Sequence, residues 1–207
     1  MRITILGTGT VATTLAGGLI AAGHDVVFGS RTPDEPRELP APVRDRIAAI
    51  DGADLVVSAL AASASLETLS EPALAEALAG HVLLDLGNAY RPPFELVYPN
   101  SSLGEKLQAA LPRTRVVKAL NTLGLAATVN PEALPAPTTQ FLSGDDAAAK
   151  ALVSGLLVDL GWPVEQQIDL GGIIGARGQE HYFLLFVALM PVLATPYMNI
   201  AVVRSAG

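Results

Sequence analysis

A glycine-rich turn near the start of the chain, Gly7-Thr-Gly-Thr-Val-Ala12, most constrains the fold. A short apolar run, Ile3 to Leu6, precedes this G-x-G-x-x-A pattern, and a predicted helix from Val11 to Ala22 follows it. The first glycine permits a tight turn, the second lets a pyrophosphate approach the backbone, and the alanine lets the helix pack closely on the strand. Free N–H groups at the helix start would face the phosphates. A purely structural glycine turn is the alternative, but the strand–turn–helix context disfavours it.

The end of the second predicted strand, which runs from His24 to Gly29, indicates which dinucleotide is bound. NAD-binding proteins of this type place an Asp or Glu there to hold the ribose 2′-hydroxyl, whereas this chain has Gly29-Ser30-Arg31. Ser30 can donate a hydrogen bond to a 2′-phosphate, and Arg31 can pair with it and lie over the adenine. The strand end therefore predicts NADP(H) rather than NAD(H). A solvated surface charge is the alternative role for Arg31.

Strands and helices alternate along the rest of the chain, which predicts a doubly wound α/β fold with a mostly parallel, Rossmann-type sheet. The continuous apolar run at 54–60 is typical of a parallel strand buried on both faces. Further strands are predicted at 82–86, 116–120, 138–142 and 162–165. Helices are predicted at 43–50, 65–78, 102–111 and 147–160, and a last helix begins near residue 172.

The ends of these strands supply further candidate binding residues, because ligands of open α/β sheets lie at the carboxyl ends of the strands. Ser58 begins such a strand end, and Asn121 and Thr122 follow another strand. Asn88 follows a third strand, and on spacing alone we favour a turn residue there, with a contact to the nicotinamide ribose as the alternative.

The composition argues against several classes of protein. The 207 residues include no cysteine and only three scattered histidines, so disulfides and thiol nucleophiles are excluded and a zinc site is not expected. A net charge of −7 without a basic stripe argues against nucleic acid binding. The uncharged run from Tyr182 to Val203 is long enough to span a bilayer, but Pro191 and Pro196 interrupt it. We therefore expect a buried helix followed by a short extended tail, with a membrane helix as the alternative.

Two sets of charged residues have both a structural and a functional interpretation. Asp145 and Asp146 resemble paired catalytic carboxylates, but Asp at a helix start usually caps the helix, and we favour the cap. Arg177 and Glu180 lie within one turn of each other on the last helix. We expect them to pair with each other and to bridge to the strands, with a substrate role as the alternative.

Six segments, spread over almost the whole chain, carry a resemblance to one family. They are Ile5–Ala12, Gly23–Arg31, Val116–Thr122, Phe141–Asp146, Gly175–Glu180 and Thr195–Arg204. With them the chain resembles the NADPH-dependent F420 reductases, that is, the F420-dependent NADP oxidoreductases. It departs from them at 59–62, where a proline is common, and in the short proline-rich loop at 32–42. The Val-Lys-x-x-Asn signature at 117–121 also occurs in cytoplasmic domains of ferric reductases, which carry NADPH without using F420.

The resemblance implies a division of the chain into an NADP(H)-binding Rossmann domain at 1–166 and a C-terminal helix and tail at 167–207. This C-terminal element would cover the substrate pocket and form the interface of a cytoplasmic homodimer. The resemblance also makes Asn88, Asn121 and Thr122 expected neighbours of the nicotinamide. The predicted cofactor-binding residues are Gly7, Thr8, Gly9, Thr10, Val11, Ala12, Ser30, Arg31, Ser58, Ala59, Leu60, Asn88 and Asn121, and no metal ligand is predicted.

The predicted function is that of an oxidoreductase, in which a hydride passes between C4 of the nicotinamide and C5 of the deazaflavin coenzyme F420. Such a transfer asks the protein to stack two rings at about 3–3.5 Å and to exclude water, so no certain catalytic residue is named. Asn121 and Thr122 are candidates for orienting the carboxamide or the acceptor ring. The alternatives are a reductase of another small acceptor, such as a flavin or a quinone, and a non-enzymatic NADP(H)-binding redox sensor.

Overall fold

The computed structural model describes residues 1–203; the last four residues of the predicted C-terminal element, Arg204 among them, lie outside the described residues. An eight-stranded sheet forms the centre of the molecule, in the order β10-β9-β8-β5-β4-β1-β2-β3. All neighbouring strands are parallel except β8 and β9. The strands are β1 (Arg2–Leu6), β2 (Asp25–Ser30), β3 (Val43–Asp45), β4 (Leu55–Ser58), β5 (Val82–Asp85), β8 (Arg115–Ala119), β9 (Gln140–Gly144) and β10 (Gln167–Asp169), and a separate hairpin pairs β6 (Tyr90–Arg91) with β7 (Glu95–Leu96). The predicted doubly wound, mostly parallel sheet is confirmed.

Helices cover both faces of the sheet and enclose two apolar cores. On one face, Leu15 and Leu19 pack with Val153 and Trp162, and on the other Leu78 and Leu107 belong to the second core. The central strands contribute alternate side chains to the two cores, which is why their sequences are apolar throughout. The helices are α1 (Thr10–Ala21), α2 (Arg46–Ile50), α3 (Ala62–Leu69), α4 (Pro72–Leu78), α5 (Leu103–Ala110), α6 (Leu125–Thr128), α7 (Ala147–Asp159) and α8 (Ala176–Leu193).

Three predicted elements differ from the structure, each for a local reason. The single helix at 65–78 is two helices, because Pro72 at the start of α4 holds Glu71 in an extended conformation. The helix at 43–50 is shorter, because residues 43–45 join the sheet edge as β3 and Asp45 caps α2 by accepting from the Ile47 N–H. The prediction of a strand at 162–165 is wrong, because a 3₁₀ turn occupies residues 164–166 and the strand β10 follows it.

Caps account for the charged residues at two helix starts. Asp146 accepts a hydrogen bond from the Ala149 N–H at 2.7 Å, which confirms its role as the cap of α7. Asp145 accepts from the Ile173 N–H at 2.8 Å and so ties this turn to the segment before α8. Ser102 accepts from the Glu105 N–H at the start of α5, as a capping box requires.

The C-terminal run is a helix followed by a tail, but the helix is only partly buried. Helix α8 continues past Pro191 to Leu193, and the tail then runs alongside β9, where the Thr139 N–H donates to the Ile200 carbonyl at 2.8 Å. Leu185, Val192 and Leu193 are each more than half exposed. The expectation of a buried helix is therefore wrong for its outer face and last turn. Among the described residues, no helix combines the length and apolar character needed to cross a membrane.

The predicted pair between Arg177 and Glu180 is also wrong, because each residue has another partner. Arg177 donates through Nε and Nη2 to the two carboxylate oxygens of Glu105, at 2.7 Å each. Glu180 reaches into the sheet, where it contacts Lys118 on β8, so the expected bridge to the strands is present although the expected pair is not. The forked pair joins α8 to the capping box of α5. Hydrogen bonding from Arg177 lowers the pKa of the Glu105 carboxyl, against the smaller opposing effect of burial.

The Arg177→Ala variant should unfold at a lower temperature than the wild type at pH 7, because α8 loses its forked contact with α5. The folded-state pKa of Glu105 lies below its unfolded value of about 4.3. Its stabilising contribution is therefore present above that pH and is lost as the pH falls through the folded-state pKa. The difference in melting temperature should shrink below about pH 4.

Arg91→Ala is the matched control, because Arg91 and Glu95 form a loose pair at 3.8 Å with both side chains exposed. Its melting temperature should stay close to that of the wild type. If Arg177→Ala left the melting temperature unchanged and raised the KM of the acceptor, Arg177 would have a substrate role instead.

Candidate functional site

A crevice opens where the sheet order reverses, between β1 and β4. The chain passes from β1 to β2 on one side and returns to β4 on the other, so no connection covers the carboxyl ends of β1 and β4. Gly7 lies at this point with φ of +119°, and a Cβ there would approach the Ala59 carbonyl to 2.7 Å. A Cβ on Gly9 would meet nothing within 4 Å. The loop is therefore tight at its first glycine and open at its second, as a bound pyrophosphate requires.

At one end of the crevice lies a cavity of about 630 Å³, here called the basic cavity. Three arginines line it, Arg31, Arg37 and Arg46, together with a single carboxylate, Glu35. Of the predicted residues, Gly7, Thr8, Gly9, Ser30, Arg31, Ala59 and Leu60 line this cavity.

Sequence reasoning missed Arg37, which follows the strand end in the proline-rich loop. Its Nη1 donates to Ser30 Oγ at 2.9 Å, and its Nη2 donates to Thr32 Oγ1 at 2.7 Å. It also pairs with Glu35. The sequence did contain a sign of this role, because Arg37 is a second cation only a few residues after Gly29-Ser30-Arg31. The loop folds back on β2, so the Arg37 guanidinium lies against the Ser30 hydroxyl in the wall of the basic cavity.

The other end of the crevice is a cavity of about 340 Å³, here called the apolar cavity. Leu15, Leu120 and Leu123 form one part of its wall, and Tyr90 and Phe183 form another. The two aromatic rings meet edge to face, with centroids 5.1 Å apart. Residues 59–61 line both cavities, so the two adjoin each other along the crevice. The predicted residues that line the apolar cavity are Val11, Ser58, Ala59, Leu60, Asn88 and Asn121.

Three predicted residues lie apart from both cavity walls. Thr10 is exposed in the first turn of α1, and Ala12 is buried beneath the glycine loop against the core. Thr122 is buried and lines a third, small cavity beside α8, and its Oγ1 has no hydrogen-bond partner among the described residues. The structure thus gathers most of the predicted residues into one crevice and turns the Thr122 side chain away from it.

Asn88 and Asn121 form a reciprocal pair in the wall of the apolar cavity. Asn121 Nδ2 donates to Asn88 Oδ1 at 2.9 Å, and Asn88 Nδ2 donates to the Asn121 backbone carbonyl at 2.7 Å. The pair joins the carboxyl ends of two neighbouring strands, β5 and β8. Asn88 is therefore more than a local turn residue, since its side chain fixes the distance between two strand ends.

A buried ionic cluster supports this wall from behind. Lys118 Nζ donates to Asp85 Oδ2 at 2.8 Å and to Glu180 Oε1 at 2.9 Å, and also to the Gly87 carbonyl. Lys118 and Asp85 are fully buried and Glu180 is 2% exposed. Burial acts to lower the pKa of Lys118, but the two carboxylates outweigh it and raise the pKa above its usual value. Glu180 also accepts from the Leu103 N–H at the start of α5, at 3.0 Å. We call Lys118, Asp85 and Glu180 the ionic triad.

The arrangement can bind and orient ligands, but among the described residues no acidic or basic side chain lines the apolar cavity. The side chains at the apolar end are amides, hydroxyls and hydrocarbon, while the charged triad is sealed from it. Among residues 1–203, no group of three His, Asp or Glu side chains could hold a metal ion. The fold and the crevice together define a Rossmann-type dinucleotide-binding protein.

Comparison with known proteins identifies its family. The model of the family described as NADP oxidoreductase, coenzyme F420-dependent, matches residues 2–89. A solved structure from Arthrobacter sp. FB24, described as a candidate F420-dependent NADP-reductase, is 37% identical, with a TM-score of 0.91 over 99% of this chain and 100% of that chain. The chain belongs to this family and is an NADPH-dependent oxidoreductase.

Two further proteins have lower sequence identity to this chain. Metalloreductase STEAP3 of Rattus norvegicus is 29% identical over 184 residues, which are 86% of this chain but only 36% of that protein. This chain thus spans about a third of the length of that relative. A reductive aminase from Aspergillus terreus, solved with NADPH4, cyclohexanone and allyl amine, is 23% identical, with a TM-score of 0.65 over 93% of this chain and 62% of that chain. At that identity the likeness supports the fold alone.

Replacing Lys118 by methionine should lower the free energy of unfolding by about 3–5 kcal/mol, because two buried carboxylates would lose their cation. Denaturation in urea measures the change. Lys150→Met is the control, since Lys150 pairs with the half-exposed Asp169 at 2.7 Å and its loss should cost about 1 kcal/mol or less. Equal losses in the two variants would contradict the role given to the ionic triad.

Proposed function

We propose that this chain transfers a hydride between NADP(H) and the deazaflavin coenzyme F420. The observation that carries the proposal is the single crevice with two unlike ends: three arginines at one and an apolar, aromatic-walled cavity at the other. A phosphorylated adenosine suits the basic cavity, and two stacked rings suit the apolar cavity. Membership in the F420-dependent family supports this choice of acceptor.

The cofactor would lie along the crevice with its pyrophosphate on the turn from Gly7 to Ala12. The open space over Gly9 and the helix start at Thr10 fit this part of the molecule. We assign the 2′-phosphate to Ser30 and Arg31, with Arg37 as a second cation beside Ser30. Asn88 and Asn121 would then face the nicotinamide and its ribose.

When bound, the nicotinamide supplies or takes the hydride at its C4. The chain's own contribution is to orient the two rings and exclude water. Val11, Leu120 and Leu123 would pack against the stacked rings, and the Asn88–Asn121 pair would hydrogen-bond to the polar edge of the nicotinamide. The hydride itself needs no proton from the protein, and the proton that the deazaflavin gains at N1 on reduction, or loses on oxidation, would be exchanged with solvent. This agrees with a cavity wall that has amides in place of acids and bases.

A reductase of a different planar acceptor is the second candidate, and one observation favours it. Among residues 1–203, no Lys or Arg lines the apolar cavity, so the described part of that wall has no cation to select an anionic acceptor. A flavin or a quinone would find the same aromatic and aliphatic surface. A non-enzymatic NADP(H) sensor would use the same cofactor site without turnover.

An anaerobic assay with NADPH and F420, following the deazaflavin absorbance, tests the proposal. Rapid bleaching with NADPH but not with NADH supports it. The parallel assays with FMN and a soluble quinone identify the second candidate if they alone show turnover. Binding of NADPH without turnover on any of the three acceptors would leave the sensor and overturn the proposed reaction.

Replacing Arg31 by alanine should weaken NADPH by about 2 kcal/mol, or roughly 30-fold, because a charge-assisted contact to the 2′-phosphate is lost. The affinity for NADH, which lacks that phosphate, should stay nearly unchanged. Calorimetry with both dinucleotides measures the difference. Arg113→Ala, on an exposed arginine outside both cavities, is the control. Equal weakening of the two dinucleotides by Arg31→Ala would contradict the assignment.

We also propose that two copies of the chain associate through α8 and the tail, within the cytoplasm. The exposed apolar side chains there include Leu185, Met190, Val192 and Leu193, followed by Tyr197. A second copy of the same surface would cover them, and the residues from 167 onward would then serve as both pocket cover and interface. Light scattering should give twice the chain mass of 21.4 kDa. A mass of one chain at micromolar concentration would contradict the dimer.

A further inference from the structure

We propose that Gln179 is a positioning residue, which fixes the orientation of the Asn88–Asn121 pair and so decides which polar atoms the apolar cavity offers to the nicotinamide end of the cofactor. The inference rests on the proposed cofactor position and goes beyond it. Gln179 lies on α8, is 1% exposed and does not line the apolar cavity itself.

The orientation of the Gln179 amide is set by groups that can act in one way only. Its Nε2 lies 3.3 Å from the Lys118 carbonyl and 3.3 Å from the Phe141 carbonyl, and backbone carbonyls only accept hydrogen bonds. Its Oε1 accepts from the Ser143 hydroxyl at 2.6 Å. The NH₂ group must therefore face the Lys118 and Phe141 carbonyls, and the oxygen must face the Ser143 hydroxyl.

This orientation is passed to the two asparagines in turn. The two hydrogens of Gln179 Nε2 are shared among three acceptors, and the shortest of the three distances, 3.1 Å, is to Asn121 Oδ1. Asn121 therefore presents its oxygen to α8 and its NH₂ to Asn88. Asn88 then presents its oxygen to Asn121 and its NH₂ to the Asn121 backbone carbonyl, which can only accept. Backbone carbonyls thus determine the amide orientation at both ends of the series Gln179, Asn121 and Asn88. Reversing either asparagine amide would place two oxygens, or two NH₂ groups, face to face.

The fixed amide orientations determine which hydrogens of Asn88 and Asn121 remain free in the wall of the apolar cavity. Each NH₂ group has two hydrogens, and in both Asn121 and Asn88 one of them has no acceptor among the described residues. The wall therefore has spare N–H donors held in a fixed direction, which match a carboxamide oxygen or a ribose hydroxyl. Without Gln179, Asn121 Oδ1 would lose its donor beside α8, and the Asn121 amide would be held from the Asn88 side alone. Part of the affinity for the nicotinamide end would then be lost in ordering this amide.

The test compares two ligands that share one end. NADPH has the adenosine 2′-phosphate and the nicotinamide, whereas 2′,5′-ADP has only the former. In Gln179→Met, which keeps the length of the side chain and removes its amide, NADPH should bind about 10-fold more weakly and 2′,5′-ADP within about twofold of the wild type. Ser143→Ala, which removes only the donor to Oε1, should show the same selectivity with a loss of about threefold for NADPH.

Gln140→Met is the matched control, because Gln140 is also a fully buried glutamine and its side chain has no hydrogen-bond partner among the described residues. It should bind both ligands as the wild type does. Equal weakening of NADPH and 2′,5′-ADP in Gln179→Met would indicate a general structural role, and no weakening would indicate none; either result overturns the inference. If Gln179→Met does not fold, Ser143→Ala decides by the same comparison. A wild-type protein that binds neither ligand would instead overturn the proposed function.

Discussion

The ionic triad of Lys118, Asp85 and Glu180 is the interaction on which the rest of the site depends. A lysine in the middle of a parallel sheet is costly to bury, and it is retained here between two carboxylates and a backbone carbonyl. Through Asp85 it is bound to the neighbouring strand, and through Glu180 to the last helix. It therefore joins the sheet, the turn before Asn88 and α8 in one place.

With α8 held in this way, the crevice acquires its two unlike ends. The basic end is local in origin, because Ser30, Arg31 and Arg37 lie within eight residues of one another, at and just after the end of β2. The apolar end is assembled from distant parts of the chain: α1, the hairpin at Tyr90, the segment after β8 and Phe183 on α8. A cofactor with a phosphorylated nucleoside at one end and a reactive ring at the other would fit the basic cavity with the first and the apolar cavity with the second.

The polar groups in the wall of the apolar cavity include amides that hold one another, and this would suit the proposed hydride transfer. A strong acid or base at this position would have no proton to move for the hydride itself, whereas rigidly oriented rings reduce the entropic cost of reaching the reactive geometry. The buried charges of the ionic triad lie behind the amides and stay out of contact with the crevice. The buried charges thus stabilise the scaffold, while neutral groups line the apolar cavity.

The sequence by itself determined the glycine turn, the Rossmann-type sheet and the basic strand end, because each depends on residues within about thirty positions of one another and on their periodicity. It also determined the cap at Asp146. The break at Pro72 is local and readable in the sequence, and the helix predicted at 65–78 overlooked it. The sequence did not determine the partners of Arg177 and Glu180 or the exposure of the last helix. Only the tertiary structure decided these, because they depend on which distant surface each element meets: Glu180 finds a lysine 62 residues away that no local pattern connects to it.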